Sequence, residues 1–154
     1  MIKAVEKKID IVEMLHYYWQ ITSERGKVGE AYIIDVANRP EMKNIYDDEF
    51  NEEEVRKVLS CISNKEPLNS QCQKSRKFWN NNMWMLEDLE YTEMMIKPVK
   101  TLNLDSIMNK LNTKIENPKY DKLEVLFIPA TSEEYLINEN KLIINFFRVK
   151  PDLY

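Results

Sequence analysis

Glycine is nearly missing from this chain. Of 154 residues only Gly26 and Gly29 are glycine, where average usage would supply about eleven. A phosphate-binding Walker loop needs glycines that let backbone N–H groups wrap a phosphate, and the chain has no such run. A dinucleotide fingerprint needs three spaced glycines, and the G-x-S-x-G nucleophile elbow needs two; both are absent. Cysteine is equally scarce. Cys61 and Cys72 form no C-x-x-C pair, and His16 is the only imidazole. A structural zinc site therefore lacks a fourth Cys or His ligand, and no disulfide framework is expected. No metal and no cofactor are expected.

Long apolar runs are missing too. No stretch reaches the roughly 18 apolar residues of a membrane span. The opening segment MIKAVEKKIDIVEM mixes charge with apolar residues, so no signal peptide is expected there. Basic excess is the last absence. Net charge is −4, and none of residues 1–50, 51–100 and 101–154 is net positive. Nucleic acid is thus not the expected partner. Reduced thiols suit the cytoplasm. The abundance of lysine, isoleucine and asparagine resembles the output of an AT-rich bacterial genome.

What is present reads as a single domain over residues 1–154, with helices first and strands last. The spacing of Ile2, Val5, Ile9, Val12, Leu15 and Trp19 predicts a helix over about residues 2–23, with Gly26 just past its end. Residues 28–37 fit either period, and Glu30 and Ala31 favour helix; Pro40 ends that segment. Asn51 predicts a helix start, with Glu54 reaching back to the Asn51 N–H and Phe50 stapling Val55. The next helical pattern covers about residues 69–94, with Asn80-Asn81-Asn82 as the place where it can break and Pro98 as its end. A short helix over 105–111 takes Asp105 as its cap. Residues 123–128, 134–138 and 141–149 read as strands, the last two joined by a tight turn at Glu139-Asn140. The expected fold is α+β: a helical N-terminal two thirds packed on a C-terminal antiparallel β-meander. Nearly every strand position is apolar, so both sheet faces should be covered. The long last strand would leave an apolar edge open, which predicts a homodimer through the C-terminal strand.

The densest chemistry lies in FWNNNMWMLEDLEY, residues 78–91. On a helix, Arg76, Asn80, Trp84, Glu87 and Tyr91 share a face, with Asp88 beside it. Cation, amide, aromatic and carboxylate on one face suit a ligand or partner surface: Trp84 and Tyr91 stack, while Asn80 and Glu87 fix polar groups. The plainer reading makes Trp79, Met83 and Leu86 core and the rest ordinary surface. His16 can serve as a base oriented by Glu13, or sit as a boundary side chain. A Cys–His dyad is conceivable with either cysteine, although apolar helical surroundings keep thiols inert. The carboxylates of Asp47–Glu54 read as solvated helix-start charge, and Lys65, Lys74, Arg76 and Lys77 as a basic run able to meet an acidic partner.

Residues 78–91, followed by Leu102-Asn103-Leu104-Asp105, resemble a family of small uncharacterised bacterial proteins of about this length. The resemblance implies a bacterial, cytoplasmic protein of unknown role. The residues therefore point first to a small interaction or regulatory module whose partner is a protein or a small molecule. A small-molecule enzyme using Glu87 or Asp88 as acid/base is the alternative. An inhibitor or immunity-type binding protein is a third class that suits the acidic charge.

Overall fold

The chain opens in a strand, not a helix. The computed structural model describes residues 1–129 and 133–151. Strand β1 (Ala4–Lys8) precedes helix α1 (Asp10–Ser23). The expected helix over 2–23 is thus corrected at its start. Ile2 and Val5 fit the spacing of a helix stripe, but β1 runs parallel to β2 (Lys122–Ile128), pairing Ala4 with Lys122 and Lys8 with Leu126. A local period cannot register a partner so distant in sequence.

Five more helices lie between β1 and β2. They are α2 (Glu30–Ala37), α3 (Glu52–Asn64), α4 (Gln73–Glu87), α5 (Leu89–Thr101) and α6 (Asp105–Lys114), with a 3-10 helix at Pro40–Ile45. Residues 28–37 resolve to helix, as Glu30 and Ala31 favoured. The Asn51 cap of α3 forms: its Oδ1 accepts from the N–H groups of Glu53 and Glu54 at 3.1 and 3.2 Å. The reciprocal half does not form. Glu54 instead accepts from the hydroxyls of Ser70 and Ser75 at 3.0 and 2.9 Å, tying the start of α3 to the start of α4.

The long helical pattern breaks at Asp88 rather than at the asparagines. Asp88 leaves helical geometry (φ −131°, ψ 73°) and its carboxylate accepts from the Tyr91 N–H, capping α5. The asparagine triplet stays helical because Asn82 is held inside: it accepts from Trp19 Nε1 at 2.9 Å and donates to the Phe78 carbonyl at 2.8 Å. Pro98 does not end the run, and α5 continues to Thr101. Buried Met95, Ile96 and Val99 hold it to the core. Lys7 Nζ closes its end by donating to the carbonyls of Val99, Lys100 and Leu102 at 2.8–3.0 Å. That places a cation on the negative end of the helix. At α6 the cap position is Leu104 and not Asp105, and Asn103 just before it accepts from the Asp105 N–H at 2.9 Å.

The sheet is mixed, not an antiparallel meander. Its strand order is β1-β2-β4-β3, with β3 spanning Tyr135–Asn138 and β4 Lys141–Asn145. The turn at Glu139-Asn140 joins β3 and β4 as an antiparallel hairpin, with Glu139 at φ 55°. The hairpin docks by β4, which runs parallel to β2 from the Glu124–Lys141 pair to the Ile128–Asn145 pair. With β2 on one side and β3 on the other, β4 has no open edge. The expected homodimer through the C-terminal strand loses its basis. The outer position falls to β3, and all four of its residues are exposed, so the expected cover on both faces fails there. After Asn145 the chain turns into a 3-10 helix (Phe146–Arg148) that buries Phe146.

An aromatic file joins these parts. Tyr46, Phe50, Phe78, Phe147 and Trp19 follow one another with ring centroids 5.5–6.4 Å apart, and Trp19 also stacks on Phe146 at 5.9 Å. Among the described residues no helix is long and apolar enough to cross a membrane.

Candidate functional site

Helix α4 has a buried side and an exposed side. Phe78, Asn82 and Met85 lie inside; Phe78 packs on Phe50, and Asn82 is bonded to Trp19. Arg76, Asn80 and Trp84 stand one turn apart on the outside, and Trp84 is 72% exposed. Glu87 ends the helix, also exposed. The predicted face stops there. Asp88 redirects the chain, so Tyr91 sits on α5 and does not extend the Arg76–Trp84 row. All six predicted residues are exposed, and the structure brings together Arg76, Asn80, Trp84 and Glu87 on one face of α4.

Beside that row lies a trough that the residue pattern did not reveal. One hollow, of about 340 Å³, is lined by Pro67, Leu68, Arg76, Trp79 and Asn80. A second, of about 360 Å³, continues past Trp79 and Pro67 to Met83, Leu86, Lys65 and Gly26. Trp79, Met83 and Leu86 are therefore half-buried walls and not closed core. The other wall comes from the end of α1 and the segment after α3, which no helical period on α4 could indicate. In the sequence Gly26 stands out only as the glycine just past the first helix. The structure gives it a different need. A Cβ there would lie 2.8 Å from Ile21 Cγ2 and 3.1 Å from the Ile21 carbonyl. The left-handed residue after α1 is Arg25, at φ 64°.

The electrostatics of the trough are simple. Arg76 and Lys65 enter none of the ion pairs among the described residues. Trp79 Nε1–H is closed off from solvent and has no acceptor among the described residues. Cys61 lines the second hollow, and burial pushes its thiol up. Both cysteines are unpaired thiols.

The remaining candidates fall elsewhere. His16 faces Glu93 on α5, not Glu13; Nε2 and the carboxylate are 3.9 Å apart, too far for a hydrogen bond. Partial burial lowers its pKa, Glu93 opposes that, and Lys100 adds to it. With the folded imidazole below its ordinary 6.5, the unfolded chain takes up the proton first. Stability is then complete above about pH 6.5 and falls as pH drops below it. Thermal melts between pH 8 and 5 check this: the wild type should lose more midpoint than His16→Gln, and equal losses would refute it.

In the acidic cluster, Asp47 accepts from the N–H groups of Glu49 and Phe50 at 2.9 and 2.7 Å and pairs with Lys74. Lys74 and these backbone bonds bring its carboxyl down to about 2. No group of three His, Cys, Asp or Glu among the described residues could hold a metal ion. The acid/base alternative needs a carboxylate in a partly apolar hollow. Glu87 and Asp88 are both exposed, outside both hollows, and Asp88 is engaged as a cap.

Comparison with protein-family models, with curated proteins and with solved structures finds no match for this chain.

Proposed function

We propose that the chain is a small bacterial interaction or regulatory module, acting in the cytoplasm, that meets its partner through the outer side of α4. The observation that carries this reading is Trp84, 72% exposed and one turn from Asn80. Leaving a large indole in water forgoes the burial that aromatic side chains usually obtain, and exposed aromatics beside cations are what partner surfaces use. Arg76 extends the row, and the trough beside it supplies apolar contact area. Glu87 closes the row at the end of α4, and Asp88 at the junction and Tyr91 on α5 form the rim of the same surface.

The test uses Trp84→Ala and Asn80→Ala together. Both positions are exposed, so the fold should change by no more than about 0.5 kcal/mol. The variant should lose a partner that the wild type retains from extract of its own host. A folded variant with an unaltered set of retained proteins removes this face as the binding surface.

A further inference from the structure

Resting on the reading of α4 as a binding surface, we infer that the trough beside it takes a short acidic–apolar peptide segment of a partner protein. The first support is shape. The two hollows share Trp79 and Pro67 and follow α4 from Arg76 to Leu86, which is about 15 Å of helix. An extended chain covers that length in roughly five residues. The trough is open along its side, so a chain can enter without threading.

The second support is charge. The protein is net −4, yet each hollow carries one cation outside any ion pair, Arg76 in the first and Lys65 in the second. Among the described residues Glu66 is the one carboxylate that lines either hollow. Lys74, by contrast, is already held by Asp47. Carboxylates over Arg76 and Lys65, with apolar side chains on Trp79, Met83 and Leu86, satisfy both features. Opposite charge at such a surface sets specificity and orientation. The third support is Trp79 Nε1–H, a buried donor without an acceptor among the described residues. Such a group is costly to leave unmade, and the ring that carries it lines both hollows.

Two synthetic peptides test this, both acetylated and amidated. One alternates leucine with aspartate or glutamate; the other carries lysine at the acidic positions. The indole N–H signals of the three tryptophans are followed by ¹H–¹⁵N NMR. Trp19 is bonded to Asn82 inside the core and serves as the internal control. The acidic peptide should move the Trp79 signal and saturate it; the lysine peptide should not. Arg76→Glu with Lys65→Glu should weaken the acidic peptide by at least about tenfold and admit the lysine peptide. Both sites are exposed, and circular dichroism reports whether the variant stays folded.

An acidic peptide that leaves Trp79 unmoved at millimolar concentration overturns the inference. So does equal binding of the two peptides, or a charge-reversed variant that binds as the wild type does. None of these results touches the reading of the Trp84 face, which the retained-partner experiment decides separately.

Discussion

Phe78→Ala should lower the unfolding free energy by about 3–5 kcal/mol. The ring is fully buried, with edge contacts to Phe50 at 5.5 Å and Phe147 at 6.3 Å. These neighbours arrive from the approach to α3 and from the segment after β4, so Phe78 joins regions that no local structure connects. Truncation removes the ring's own burial and leaves a cavity that rings on two sides cannot close by small shifts. Against a total stability of about 5–15 kcal/mol the loss is large. Urea denaturation measures it as a lower midpoint at unchanged slope. A loss below about 1 kcal/mol would mean that the aromatic file does not organise the core.

Asn82→Leu should cost about 2 kcal/mol, although leucine has a similar size and a better helix propensity. The reason is Trp19 Nε1, which is buried and donates to Asn82 Oδ1 at 2.9 Å. Leucine removes the acceptor and leaves the indole N–H unpaired in the core. The neighbouring Asn80→Leu, two residues away on the exposed side, should stay within about 0.5 kcal/mol of wild type. A double-mutant cycle with Trp19→Phe separates the hydrogen bond from packing. Removing donor and acceptor together should cost less than the two single changes added. Equal effects at Asn80 and Asn82, or strict additivity in the cycle, would refute the assignment.

That contrast within one triplet shows where sequence reading ends. Three consecutive asparagines carry one local signal, poor helix propensity. The structure divides them into an exposed Asn80, a partly covered Asn81 and a buried Asn82. The division depends on Trp19, which is distant in sequence. Asp88 shows the reverse. Its side chain can cap, as any aspartate can, but a run of apolar residues at helical spacing continues through it. The Arg76–Asn80–Trp84–Glu87 part of the candidate site was legible because steps of four and three on one helix need no other information. Tyr91 was misplaced because those steps do not survive a change of helix. The trough was invisible because Lys65 and Gly26 approach α4 only after α1 and α3 have packed.

The sequence by itself determined what is settled within about a turn of chain: the apolar stripe of α1 from Val12 to Trp19, the Asn51 cap of α3, the turn at Glu139-Asn140 and the apolar runs that became β2 and β4. Caps, turns and helix faces are short-range, because their hydrogen bonds join residues two to four apart. Tertiary structure alone decided that residues 4–8 form a strand, that β4 lies between β2 and β3, and that Trp79 lines a trough. Strand order and groove walls depend on contacts between distant residues, and each segment can satisfy its local preferences in more than one arrangement. Only burial of the whole core selects among them.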